Sequence, residues 1–122
     1  MGYKILVVDD EKTIRDLVAF RLEFHGHQVE TAQNGTEGLA KVESMHPDLI
    51  VLDVMMPDLT GYEVCAKVKA GEGSKDTKVI LLTAKGRKQD EDEGHAAGAD
   101  AFMAKPFRAN LLLAKIDELM NG

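Results

Sequence analysis

The sequence predicts an α/β domain in which helices cover both faces of a parallel sheet. Three observations lead there. Strand-like and helix-like patterns alternate along the chain, the mark of successive βαβ units. The central strand candidates are apolar throughout rather than alternating, as expected where both faces are buried. The 122 residues suffice for one hydrophobic core and show no linker, internal repeat or composition shift. Residues 1–122 are therefore expected to form a single domain.

The elements follow in order. Ile5-Leu6-Val7-Val8 is the first strand, and Ile14, Leu17, Val18 and Leu22 then recur at helical spacing until His25-Gly26 ends the segment. Gln28-Val29-Glu30-Thr31-Ala32 alternates as a more exposed strand does. Asn34 followed by Glu37 reads as a helix start, with Leu39, Val42 and Met45 as the inner stripe. Pro47 precedes the second fully apolar strand, Leu49-Ile50-Val51-Leu52. Val64, Cys65 and Val68 mark a third helix that ends in Gly71-Glu72-Gly73-Ser74. Val79-Ile80-Leu81-Leu82 is the fourth strand. Residues 87–97 read as a weak, highly charged helix with only Ala96 and Ala97 to pack. Ala101-Phe102-Met103-Ala104 is the fifth strand, and Leu112, Ile116, Leu119 and Met120 line the last helix.

Four of these strands end on chemically useful residues: Asp9-Asp10, Asp53, Thr83 and Lys105-Pro106. Open α/β sheets place their sites outside the carboxyl ends of the strands. A flavodoxin-like, doubly wound order of 2-1-3-4-5 would set Asp9 and Asp10 across a crevice from Asp53, with the switch point between strands 1 and 3. Two carboxylates about 4 Å apart repel by roughly 4 kcal/mol at an effective dielectric of 20. Three of them need a cation or a retained proton. A ligand set of oxygens, without His or Cys, suits Mg²⁺, and a carboxylate beside it can serve as a nucleophile toward phosphorus. Phosphoryl transfer needs in-line positioning and neutralised charge, which Mg²⁺ and Lys105 supply while the Thr83 hydroxyl bonds a further oxygen. Each residue has a plainer role: Asp10 or Thr83 as a helix cap, Asp53 as a turn residue, Lys105 as a solvated charge. Those roles do not account for all four sharing one sheet edge.

The bulk composition excludes several classes. A net charge of −6 argues against a direct nucleic-acid binder, and no apolar run approaches the roughly 20 residues of a membrane span. The amino terminus lacks a secretory pattern, and the single cysteine excludes an internal disulfide, so the cytoplasm is the expected location.

Taken together, Val7-Val8-Asp9-Asp10-Glu11, Leu52-Asp53-Val54-Met55-Met56-Pro57 with Gly61, Leu82-Thr83-Ala84 and Lys105-Pro106-Phe107 resemble the receiver domain of bacterial two-component response regulators, chemotaxis receivers among them. The resemblance runs from about Lys4 to Met120. It implies that Asp53 is the phosphoacceptor. It also implies Mg²⁺ held by Asp10, Asp53 and the backbone carbonyl of Met55, with Asp9 acting mainly through a metal-bound water. Lys105 would pair with the phosphoryl group, and the bond to Pro106 would be cis. Thr83 and Phe102 map onto the family's switch pair, with Phe102 standing where Tyr is common. Met55 and Lys85 map onto positions that tune loss of the phosphoryl group. Neither can orient a water as a carboxamide does, so a long phosphorylated lifetime is expected.

The implied function is a Mg²⁺-dependent receiver, a signalling domain rather than an enzyme. It would take phosphate from a histidine kinase or phosphotransfer protein that docks on the first helix near Thr13 to Val18. The fourth helix, fifth strand and fifth helix would form the face for a downstream protein. A small aspartate-nucleophile phosphatase is a rival, but it would carry an acid at position 55 and a cap domain. A receiver-like scaffold that is never phosphorylated is the other, weakened by the complete site. His25, His27, His46 and His95 read as surface residues, Cys65 as a small core residue. The run from Arg87 to Glu93 reads as a solvated face, and Gly71-Glu72-Gly73 lacks the strand and third glycine of a dinucleotide loop.

Overall fold

The computed structural model describes residues 2–84 and 88–121. Strands β1 (Lys4–Val8), β2 (Gln28–Ala32), β3 (Leu49–Asp53), β4 (Lys78–Ala84) and β5 (Ala101–Lys105) alternate with helices α1 (Lys12–Phe24), α2 (Gly35–Met45), α3 (Gly61–Ala70), α4 (Lys88–Ala97) and α5 (Ala109–Asn121). The strands form one parallel sheet, as the alternation of elements predicts, in the flavodoxin-like order β2-β1-β3-β4-β5.

The apolar runs divide their side chains between two cores. Leu6, Val8, Ile50, Leu52, Val79 and Leu81 face α2 and α3, which contribute Val42, Met45, Val64, Cys65 and Val68. Ile5, Val7, Leu49, Val51, Ile80 and Leu82 face Val18 and Leu22 of α1 and Leu112 and Ile116 of α5. Burying each large aliphatic side chain stabilises the fold by roughly 1.5–3 kcal/mol, so these strands supply most of the driving force. Strand β2, at the edge, is buried fully only at Ala32. No helix among the described residues is long and apolar enough to cross a membrane.

Helix starts follow local polar chemistry. The Asn34 side chain accepts the Glu37 N–H, as its spacing predicts. Thr60 and Glu63 make a reciprocal capping box at α3, a signal the apolar stripe alone did not reveal. Asp10 does not cap α1; Glu11 occupies that position without a side-chain cap, which leaves Asp10 exposed at the sheet edge.

Helix α4 packs differently from its sequence expectation. Ala96 faces solvent, and among the residues of α4 whose side chains are described the buried position is Gly94. A Cβ at Gly94 would lie 2.1 Å from the Phe102 ring, so the ring occupies the space a side chain would need. Ala97 packs on the α2–α3 core as expected, beside Phe102. Lys85 and Arg87 lie outside the described residues, while Asp92 and Glu93 are exposed.

Candidate functional site

The register brings the reactive strand ends together. Val8 pairs with Leu52 and Asp53 with Leu82, while Thr83 and Ala84 pair with Ala104 and Lys105. Asp9 therefore leaves β1 beside the end of β3, and Thr83 and Lys105 close the far side. The result is an open crevice of about 500 Å³ lined by Asp10, Glu11, Asp53, Met55, Thr83 and Lys105.

Carboxylate oxygens of Asp9, Asp10 and Asp53 all lie within 4.8 Å of one another. Asp9 and Asp53 are buried, and Asp10 is exposed. Lys105 Nζ lies 2.9 Å from Asp9 Oδ2, 3.3 Å from Asp53 Oδ1 and 3.6 Å from Glu11 Oε1. Asp9 is held from both ends. Its Oδ1 accepts the Glu11 N–H at 2.9 Å, and its carbonyl accepts from Arg15 Nη1 at 2.8 Å. Its buried Oδ2 meets the Lys105 ammonium as an ion pair but receives no hydrogen bond of good geometry.

This arrangement is electrostatically unfinished, because one ammonium faces three carboxylates and Glu11. Burial, and then the Asp9 charge, push the Asp53 carboxyl up to about 6, although Lys105 and the Met55 N–H pull it down. Burial alone would lower the Lys105 ammonium, but its close ion pair with Asp9 and the charge of Asp53 raise it above its ordinary value. Lys105 thus stays charged, and the crevice keeps surplus negative charge. An under-bonded buried oxygen and clustered oxygen donors fit a hard divalent cation such as Mg²⁺.

Thr83 is buried within β4 and lines the crevice, so it is not a helix cap. Phe102 lies one strand away, half-buried, with its ring edge-on to His95 at 4.7 Å between centroids. The Lys105–Pro106 bond is cis. Met55 exposes 72% of its surface, and its N–H bonds Asp53. Two residues join the site that the strand-end pattern did not single out. Glu11 sits within reach of Lys105, and Arg15 reaches back one helical turn to Asp9; both follow an acidic pair whose geometry only the turn into α1 reveals.

The four histidines stay out of the crevice. His25, His46 and His95 are exposed, and His27 is half-buried with Nδ1 accepting the Tyr3 N–H at 3.1 Å. Cys65 is buried, donates to the Ala97 carbonyl at 3.5 Å and has its thiol pushed up to about 11 by burial, which makes it inert packing.

A parallel five-stranded sheet in this order, with an acidic triad and a lysine at its carboxyl edge, defines a phosphorylation-activated signalling receiver. Residues 5–117 match the family model of the response regulator receiver domain, and the chain belongs to that family. It is 41% identical over 115 residues to protein PilG of Pseudomonas aeruginosa, covering 94% of this chain and 85% of that one. It is 39% identical over 117 residues to the DNA-binding dual master transcriptional regulator RpaA of Synechocystis, covering 96% of this chain but 48% of that relative. The chain thus spans about half of RpaA's length. Among solved structures, the chemotaxis protein CheY4 of Vibrio cholerae superposes with a TM-score of 0.92 at 36% identity, over 97% of this chain and 98% of that one.

Proposed function

We propose that Asp53 accepts a phosphoryl group from a phosphohistidine on a histidine kinase or phosphotransfer protein. An Asp53 oxygen forms the new P–O bond in line with the breaking P–N bond, and the leaving imidazole takes up a proton. The observation that carries this reading is the Asp53 carboxylate, buried at the sheet edge, 3.3 Å from Lys105 and grouped with Asp9 and Asp10. Asp10, Asp53 and the Met55 carbonyl would hold Mg²⁺, with Asp9 acting through a water. Bound there, the cation neutralises charge on the phosphoryl oxygens during transfer. Lys105 pairs with the product dianion, and Thr83 donates its hydroxyl to it.

Movement of Thr83 is then answered by the Phe102 ring, which changes the surface built by α4, β5 and α5. That surface is the face for a downstream protein. The donor docks on α1 near Thr13 to Val18. An apolar hollow of about 330 Å³ between α1 and α5, lined by Ile14, Leu17, Val18, Pro106 and Phe107, opens beside Lys105 and supports that placement. The residues 1–122 act as one receiver unit in the cytoplasm. The domain turns over no separate substrate, since position 55 offers no acid for a second step, and no nucleic acid binds it directly. Met55 cannot orient an attacking water, so the phosphorylated form is long-lived; a lifetime of a few seconds would contradict this.

The central claim is tested by incubating the protein with a small acyl phosphate and Mg²⁺ and recording the intact mass. One phosphoryl adduct is expected, lost in Asp53→Ala and without Mg²⁺. No adduct, or one that survives Asp53→Ala, overturns the assignment.

A further inference from the structure

The loop that leaves β3 carries Met55 across the crevice and returns at Gly61. Its start is fastened to the sheet and its end to its start. The Val54 N–H donates to the Leu82 carbonyl at 3.1 Å, and the Gly61 N–H donates to the Val54 carbonyl at 2.9 Å. Gly61 lies so close to β3 that a Cβ there would sit 2.5 Å from the Asp53 carbonyl oxygen. The middle of the loop is fastened elsewhere. The Asp58 carboxylate accepts the Gly35 N–H at 2.9 Å, the Thr36 N–H at 2.8 Å and the Thr36 hydroxyl at 2.6 Å.

These donors form the first turn of α2, where unsatisfied N–H groups and the helix dipole favour a negative charge. The bonds from Thr36, and next those from Gly35, hold the Asp58 carboxyl well below the ordinary carboxylate range. Asp58 therefore stays ionised at any pH at which the site works. Asn34 already caps α2 from within by accepting the Glu37 N–H, so the helix has its own start signal. Asp58 adds a link between elements: it ties the start of α2 to the loop bearing Met55.

We infer that Asp58 is a positioning residue for the phosphorylation site: its bridge to α2 holds the β3–α3 loop so that the Met55 backbone stays over Asp53. The inference rests on the proposed use of Asp53 and the Met55 carbonyl. Because Met55 is exposed, little packing of its own side chain keeps that backbone in place. Met56 and Leu59 pack on the α2–α3 core and anchor the loop by apolar contact, which is non-directional. Releasing the polar bridge lets the loop tip shift on that anchor, and the Met55 N–H and carbonyl lose their fixed aim. Arrangement of the metal ligands, not stability alone, is what Asp58 contributes.

The test compares Asp58→Ala with Asn34→Ala. Both remove a side-chain acceptor from the start of α2, but only the first releases the loop. Isothermal titration calorimetry with Mg²⁺ alone gives affinity, and the Met55 amide resonance reports the loop. Asp58→Ala is expected to raise the Mg²⁺ Kd by about tenfold, the low end for outer partners of a metal site, and to shift or broaden the Met55 amide. Asn34→Ala is expected to leave both unchanged while lowering the melting temperature. Asp58→Asn, which keeps one carbonyl acceptor, should fall between wild type and Asp58→Ala. Wild-type affinity in Asp58→Ala, or equal losses in Asp58→Ala and Asn34→Ala, overturns the positioning role. A wild-type protein that takes up no Mg²⁺ overturns the site reading itself, and this inference with it.

Discussion

Asp53 shows how one carboxylate can be costly to the empty fold and necessary to its chemistry. Its folded value of about 6 stands above the ordinary 3.8 because burial and Asp9 oppose its charge. The folded state therefore holds more protons than the unfolded chain between those values, and stability falls as pH rises through that window. The rise corresponds to at most about 3 kcal/mol. Asp53→Asn is expected to stabilise the metal-free protein by about 1–3 kcal/mol at pH 7, with the gain fading toward pH 4, as urea unfolding at a series of pH values would report. Gly94 is a second single-residue determinant, because the Phe102 ring fills the space of its absent side chain. Gly94→Ala is expected to cost about 1–3 kcal/mol by overpacking and to displace the Phe102 ring signals in an NMR spectrum. Asp53 was legible in the sequence as the polar end of an apolar run. Gly94 was not, since a glycine in a charged helix gives no sign of which ring will lie against it.

Among the elements, the ends of β1 and β2 carry a pH-sensitive joint away from the site. His27 Nδ1 accepts the Tyr3 N–H, and the two rings stack at 5.8 Å. Burial lowers the His27 imidazolium, as do His25 and the amino terminus, while Asp117 on α5 opposes them. Between that lowered value and 6.5 the unfolded chain takes up a proton that the folded chain refuses, so stability falls as pH drops through about 6.5. Asp53 slopes the other way in part of this range. In an Asp53→Asn background, the melting temperature is therefore expected to fall from pH 7.5 to about 5.5, and His27→Gln should flatten that dependence. At this scale the central strands were readable from their unbroken apolar runs, and α1, α2 and α5 from apolar residues at helical spacing. Helix α4 was readable only in outline: among its described residues the Phe102 ring lies against Gly94, and a contact with a glycine leaves no hydrophobic pattern.

For the whole molecule, the sheet edge couples folding to cation binding. The crevice repels itself when empty, so a ligand that binds the folded state alone must stabilise it. At ten times its Kd, Mg²⁺ is expected to add about 1.4 kcal/mol to unfolding free energy, and EDTA to remove it. Asp10→Asn should weaken this effect, read as a smaller Mg²⁺-dependent shift in thermal midpoint, because Asp10 is the exposed member of the acidic group. The sequence by itself determined the alternation of elements, the two-faced burial of the sheet and the polar types at the strand ends. Those properties are local: they depend on residue type and spacing along the chain. Only the tertiary structure decided that Lys105 reaches both Asp9 and Asp53, that Arg15 and Glu11 turn back on the acidic pair, and that Asp58 bridges to the start of α2. Each of these joins groups on different elements, so its geometry is set by strand order, register and the path of connecting loops, which no spacing along the chain encodes.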